Sequence, residues 1–166
     1  EIPTLNYSAV NTYIDCPFRY KLVYKYGFVT PPIYFQSIGV IVHGILHRIH
    51  TEMKKGIKLN DSDVENIVND CWIPIHRDKK KDRKLKSEYM DRFKDYNKRA
   101  KNLYKEIIAI EEPFNHIDKN MIVTGRVDLI VRDIDGNVNL IDFKARESKG
   151  LEFTNVDKQL QIYNYC

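Results

Sequence analysis

Two aspartates lie in hydrophobic, strand-like segments where an apolar residue would pack better. Asp128 is in GRVDLIV, and Asp142 is in NLIDFK, with Lys144 two residues after it. Paired carboxylates suit Mg²⁺ or Mn²⁺, which take the rest of their ligands from water and substrate phosphate. A nearby lysine can orient the attacking water or stabilise developing charge. We favour this metal-assisted chemistry over the alternative, a pair of surface aspartates on an exposed strand face.

The loop between the two strands decides whether the carboxylates meet. A two-residue turn would direct them to opposite faces of the sheet, because side chains alternate along a strand. A three-residue loop over 134–136, with Gly136 left-handed, would place Asp128 directly opposite Asp142. Like charges opposed at about 5 Å repel each other and require a cation between them. We therefore predict the three-residue loop, with Lys144 emerging on the same face as Asp142.

The surrounding elements are predicted in the order helices, strand meander, helix. Helices are expected over residues 6–26 (broken near Pro17), 37–55, 61–71 (capped by Asp61 or Ser62), along a basic stripe from Tyr89 to Ile107, and over 154–166. The RDKKKDRK run before the basic helix is expected to be a charged connection, and strands are expected over 111–117, 121–132 and 137–145. This order favours an α/β fold with a central mixed sheet and an antiparallel β-meander flanked by helices.

Positive charge is concentrated in one segment of the chain. Between His76 and Glu106 there are 13 Lys and Arg residues against 6 Asp and Glu, whereas the whole chain has a net charge of +4. A basic segment indicates contact with a polyanion, although a solvated helix face is a common alternative. The widely spaced Cys16, Cys71 and Cys166 favour a reducing, cytoplasmic location, and no apolar run is long enough for a membrane span.

GRVDLIV and NLIDFKAR together resemble the core of the PD-(D/E)XK nuclease superfamily, in its RecB-like branch. Asp128 matches the first acidic motif, and Asp142 with Lys144 matches the (D/E)-x-K motif. In this family the residue between them, here Phe143, often lends its backbone carbonyl to the metal. GVIVH resembles the family's G-x-x-x-H helix, which implies that His43 ligates the metal. His47 and His50, on the same helix, are expected to be structural.

Further segments resemble the family elsewhere in the chain. QLQIY resembles the Q-x-x-x-Y helix that touches DNA, which implies that Gln159 and Tyr163 position the strand. SAVNTYIDCPFRYKLVY resembles the S-x4-Y-x2-C-P-x2-Y signature, and Glu111 matches an acidic position on the preceding strand. The resemblance implies a single RecB-like nuclease domain over 1–166, with a restriction-endonuclease-like fold. It leaves open a domain truncated at its C-terminus or excised from a larger protein.

Two features of the signature segment remain to be assigned. Some relatives hold a [4Fe–4S] cluster whose first cysteine is at the position of Cys16, but Cys71 and Cys166 cannot complete a set of four. No Fe–S cluster is therefore expected from this chain alone. The aromatic residues between Tyr7 and Tyr26 could stack on unpaired bases or pack in the core, and the sequence does not decide between these roles.

The resemblance implies a Mg²⁺- or Mn²⁺-dependent deoxyribonuclease. His43, Asp128 and Asp142 would hold the metal, and Lys144 would assist the attacking water. The family relationship further implies an exonuclease that leaves 5′-phosphates in DNA repair, recombination or defence. Its DNA would be single strands or duplex ends, with a helicase as partner or fused domain. Two alternatives stay open: a catalytically inactive nucleic-acid-binding module of the same fold, and an RNA endonuclease of the superfamily.

Overall fold

The computed structural model describes residues 3–28, 34–118, 120–146 and 150–153. The predicted C-terminal helix, with Gln159, Tyr163 and Cys166, lies outside the described residues. The helices are α1 (Tyr7–Asp15), α2 (Pro17–Tyr20), α3 (Tyr34–Lys54), α4 (Asp61–Cys71) and α5 (Lys79–Leu103), with a π-helical turn (Lys21–Lys25) after α2. The strands are β1 (Thr4–Asn6), β2 (Tyr104–Asp118), β3 (Met121–Asp133), β4 (Val138–Ile141), β5 (Phe143–Arg146) and β6 (Gly150–Phe153).

Strand β3 is the centre of the sheet. Strand β2 pairs with it in the antiparallel direction along nearly its whole length. On the other edge of β3, β1 pairs in parallel with the first part and β4 pairs antiparallel with the last part. Strands β5 and β6 form a separate antiparallel pair. The prediction of an α/β fold with a mixed sheet flanked by helices is confirmed.

Helix α3 forms the central layer of the hydrophobic core. Its apolar residues recur at spacings of three and four, and this face is buried against α4, β2 and β5. The fully buried Val42 and Ile45 each contribute about 1.5–3 kcal/mol of transfer free energy. Beyond α4, helix α5 adds the buried rings of Tyr89, Phe93 and Tyr96. The core therefore holds α3 firmly against the sheet strands that follow it.

The predicted cap of α4 is wrong, because the cap lies one residue before Asp61 and two before Ser62. The N-cap is Asn60, whose side chain accepts a hydrogen bond from the Asp63 backbone amide at 3.0 Å. The Asp63 carboxylate accepts one in return from the Asn60 amide at 2.8 Å. This reciprocal capping box satisfies two backbone donors, which a cap at Asp61 or Ser62 would leave without these partners.

Both ends of the basic helix differ from the prediction. Helix α5 begins at Lys79, within the run expected to be a connection, because Asp78 caps it and accepts from the Lys80 amide at 2.8 Å. It ends at Leu103, so Ile107 lies in β2, where it pairs with Val131 of β3. Sheet pairing of this isoleucine-rich segment overrides the helical spacing that the sequence continues through it.

The N-terminal segment divides as expected, but its aromatic rings do not join the core. Helix α1 ends before Pro17, and Asn6 caps it by accepting from the Ala9 amide at 2.8 Å. Tyr13, Phe18 and Tyr26 are exposed, so core packing does not account for them. None of the helices within the described part of the chain contains a hydrophobic stretch sufficient to span a lipid bilayer.

Candidate active site

A three-residue loop joins β3 to β4. The Asp133 amide donates to the Asn137 carbonyl at 2.9 Å, which closes the loop over residues 134–136. Gly136 is left-handed with φ +91°, a conformation that glycine adopts without steric cost. The Asp133 carboxylate accepts from the amides of Asp135 and Asn137 at 3.0 and 2.8 Å. The predicted three-residue loop is confirmed, and the two-residue turn is excluded.

This register brings the two aspartates to the same level of the sheet. The last pair of the β3–β4 ladder is Leu129 with Ile141, so its next step sets Asp128 opposite Asp142. The prediction of one continuous strand here is wrong, because β4 ends before Asp142 and the following strand, β5, pairs with β6. At this break the Phe143 amide donates to Asp128 Oδ2 at 2.7 Å. The strand break therefore ties one aspartate to the backbone beside the other.

Asp142 is a buried carboxylate with an ion-pair partner. Its side chain is 5% exposed, and Oδ2 lies 2.7 Å from Lys144 Nζ. The alignment of this contact is not that of a hydrogen bond, and no described residue donates one to this oxygen. A buried carboxylate oxygen normally has a hydrogen-bond partner. Oδ2 of Asp142 is therefore well suited to a further cation.

Asp128 is surrounded by groups of both charges. Burial raises the pKa of its carboxyl group above the usual range, and the neighbouring charge of Asp142 adds to the increase. His43, the Phe143 amide and Lys144 oppose this rise. His43 Nδ1, on α3, lies 3.6 Å from Asp128 Oδ1. Ionised Asp128 is costly here without an added cation, since burial and a like charge both disfavour it.

Glu111 lies opposite Asp128 on the other neighbouring strand. The pairs on either side are Ile110 with Leu129 and Glu112 with Val127, which sets Glu111 across from Asp128. Among the described residues it is the one non-glycine with positive φ, at +49°. That conformation costs about 1–2 kcal/mol for a residue with a side chain, and such strain is concentrated at functional sites. The sequence alone gives little reason to assign Glu111 to the site, because its positive φ cannot be inferred from the residue type.

A small cavity lies beside Asp128. Its volume is about 10 Å³, roughly the room for one water molecule or ion. His43, Glu111, Asp128 and Phe143 line it, together with His47 and His50. Helix α3 and strands β2, β3 and β5 therefore converge on one point.

His47 and His50 differ in environment although both border this cavity. His47 is exposed, whereas His50 is buried, with Nε2 2.6 Å from the Tyr96 hydroxyl. Its ring stacks on Phe143 with the centroids 5.5 Å apart. Burial, and to a smaller extent His47, lower the pKa of His50 to about 3. His50 is therefore neutral at physiological pH and supports the residue that follows Asp142.

The described residues fit a hard divalent cation held by few protein ligands. Within them, no three His, Cys, Asp or Glu side chains gather closely enough to form a complete metal cage. Mg²⁺ does not require one, because it keeps several waters and is bound by one or two carboxylates with substrate phosphate. The opposed Asp128 and Asp142, and the Oδ2 atom of Asp142 without a donor, meet that requirement. Ligation by His43 and by the Phe143 carbonyl remains a prediction.

Comparison with known families agrees with these motifs. The family model of the PD-(D/E)XK nuclease superfamily matches residues 4–166. The chain belongs to this superfamily. A comparison with curated proteins finds no match. The open mixed sheet flanked by helices is consistent with the restriction-endonuclease-like fold expected of a PD-(D/E)XK protein.

Proposed function

We propose that this PD-(D/E)XK protein is a Mg²⁺- or Mn²⁺-dependent deoxyribonuclease. The observation that carries the proposal is the register of β3 and β4, which sets Asp128 opposite Asp142 with Lys144 Nζ 2.7 Å from the second carboxylate. An arrangement of two opposed acids and a lysine is suited to hydrolysis of a phosphodiester, in which negative charge increases in the transition state.

Each residue has a defined part in this proposal. Asp128 and Asp142 would hold the divalent ion, assisted by His43 and the Phe143 carbonyl. The bound ion would lower the pKa of a coordinated water and neutralise charge on the phosphate. Lys144 would orient the attacking water and stabilise negative charge, while the Phe143 amide fixes the orientation of Asp128 through its 2.7 Å hydrogen bond.

The proposed substrate is DNA, cleaved from single strands or duplex ends to leave 5′-phosphates. The resemblance to the RecB-like branch supports this choice, and with it a helicase partner or fused helicase domain. The widely spaced cysteines support a cytoplasmic location. Gln159 and Tyr163 would position the strand. Fewer basic residues of α5 can contact phosphate than the sequence suggests. Lys94 pairs with Glu65, and Lys98 pairs with Asp61, both on α4. Phosphate contacts would fall to the remaining basic residues of the stretch from 84 to 105.

Digestion of labelled nucleic acids tests the proposal. Linear single- and double-stranded DNA, circular DNA and RNA are incubated with the protein and Mn²⁺ or Mg²⁺. We expect degradation of linear DNA with intact circles, and 5′-phosphate products. Asp128→Asn and Lys144→Met should each lower the rate by about 10²-fold or more. The matched controls Asp70→Asn and Lys55→Met, which alter exposed ion pairs, should retain activity. Full activity of the site variants would exclude this mechanism.

A binding module without cleavage is the second candidate. It is supported by the excess of positive charge between residues 76 and 106, which would attract a polyanion whether or not the aspartates hold a metal. DNA binding by the folded protein, with no cleavage of any substrate at any Mn²⁺ or Mg²⁺ concentration, would support this candidate over the nuclease. Cleavage of RNA but not DNA would instead identify a ribonuclease.

A further inference from the structure

A basic groove lies where the end of α3, the end of α5 and the start of β2 meet. Its volume is about 730 Å³. One acidic residue, Glu106, lines it together with four lysines: Lys54, Lys58, Lys101 and Lys105. The groove is open to solvent, and its lysines give it an excess of positive charge.

The charges of the groove lysines are not cancelled by the acid beside them. Glu106 is directed to Arg132, with Oε2 3.2 Å from Nε. Lys54 Nζ donates to the Ile108 carbonyl at 2.7 Å, and Lys101 Nζ donates to the Leu59 carbonyl. These carbonyls fix the two ammonium groups but leave their positive charge in place. A fixed, concentrated positive charge attracts polyanions.

The groove and the candidate active site lie along one seam between α3 and β2. His43 and Lys54 are eleven residues apart on α3, which corresponds to about 16 Å at 1.5 Å per residue. Glu111 and Glu106 are five residues apart on β2, about 17 Å at 3.4 Å per residue. The two elements therefore give the same separation between the groove and the cavity beside Asp128.

We propose that this groove binds the sugar–phosphate backbone of the substrate strand about 16 Å from the bond that is cleaved. In duplex geometry, with one phosphate per 3.4 Å of each strand, this separation corresponds to about five phosphates, and an extended single strand spans it with fewer. The inference rests on the proposed nuclease function and adds to it a second, sequence-independent contact. Lysine ammonium groups bind phosphates as point charges, so the groove would recognise the backbone rather than the bases.

Removal of two of the four lysines tests the groove. The variant combines Lys58→Ala with Lys105→Ala, which carry exposed side chains and should fold normally. Its control combines Lys79→Ala with Lys80→Ala, the same charge change at the far end of α5, about 32 Å from Lys101. Cleavage rates and fluorescence anisotropy binding are measured with single strands of about 4 to 20 nucleotides.

The groove variant should match the wild type on the shortest strands and bind the longest ones more weakly. Two phosphate contacts to a single strand change the salt slope by about 1.4. The ratio of wild-type to variant affinity for long strands should therefore fall about sevenfold between 50 and 200 mM salt. The control pair should leave the dependence on strand length unchanged.

Other outcomes distinguish failure of the groove proposal from failure of the proposed nuclease function. If the wild type cleaves DNA and the groove variant shows the same length and salt dependence, the groove proposal is wrong and the nuclease stands. If the wild type neither binds nor cleaves any oligonucleotide, the proposed function fails and the groove proposal fails with it. Loss of polyglutamate binding in the variant, with unchanged oligonucleotide binding, would assign the groove to an acidic protein partner instead.

Discussion

His50 makes the stability of the fold depend on pH. Its imidazole is 1% exposed, and burial is the main reason that its pKa falls from 6.5 to about 3. Between these two values the unfolded chain binds a proton and the folded chain does not. The stabilisation is therefore complete above pH 6.5 and decreases as the pH falls towards 3, because stability drops wherever the unfolded state binds more protons.

The size of the effect follows from the width of this window. Each pH unit below 6.5 removes about 1.4 kcal/mol from the free energy of unfolding. Between pH 7 and pH 5 the loss from His50 should be about 2 kcal/mol, and it should reach about 4 kcal/mol near pH 3. In the wild type the Tyr96 hydroxyl lies 2.6 Å from Nε2 of His50. His50→Gln removes the titrating group and keeps a polar partner for this hydroxyl.

Urea unfolding at pH 7 and pH 5 measures this contribution. The wild type should lose about 2 kcal/mol more than His50→Gln over that interval. His47→Gln, on the exposed side of the same helix, should behave nearly as the wild type, because burial outweighs His47 as the cause of the shift. If wild type and His50→Gln lose the same free energy, His50 is not a buried neutral imidazole and its packing against Phe143 is misassigned.

Two further predictions concern Glu111 and Asp82. In urea unfolding, Glu111→Gly should be about 1 kcal/mol more stable than Glu111→Ala, because the backbone at this position has a φ of +49°. Equal stabilities of the two variants would contradict the backbone strain at Glu111. Asp82→Ala should cost about 2–3 kcal/mol, because Asp82 accepts from Trp72 Nε1 and the amides of Ile75 and His76. Burial opposes the ionisation of Asp82, but these hydrogen bonds outweigh it and lower the pKa of the carboxyl group. The contribution of Asp82 to the free energy of unfolding should therefore be lost as the pH falls through the depressed pKa of the folded state. An acid unfolding profile unchanged by Asp82→Ala would contradict this.

The main features of the fold were predictable because local and tertiary preferences agree there. The spacing of apolar residues on α3 matches the face that is buried, and the glycine at 136 fixes the loop that sets the β3–β4 register. Strand parity then fixes which residues oppose each other, so the pairing of Asp128 with Asp142 followed from the loop length.

The sequence failed where tertiary contacts compete with local preference. The helical spacing of α5 continues to Ile107, yet pairing with β3 converts the chain to a strand from Tyr104. Nothing in the segment around Asp142 predicts that β5 leaves the sheet to pair with β6. The proximity of His43 to Asp128 depends on how α3 packs on the sheet. Helical periodicity alone could not predict that packing, whereas the family motif suggested this proximity.

Calorimetric titration of Mn²⁺ into the folded protein tests most directly that Asp128 and Asp142 share a divalent ion. It is performed alone and with a bound, uncleavable phosphorothioate oligonucleotide. We predict uptake by the wild type, strengthened by the oligonucleotide, and its loss in the Asp128→Asn, Asp142→Asn double variant, with Asp70→Asn as the control. Absence of uptake by the wild type under both conditions, or equal uptake by the double variant, would contradict the account.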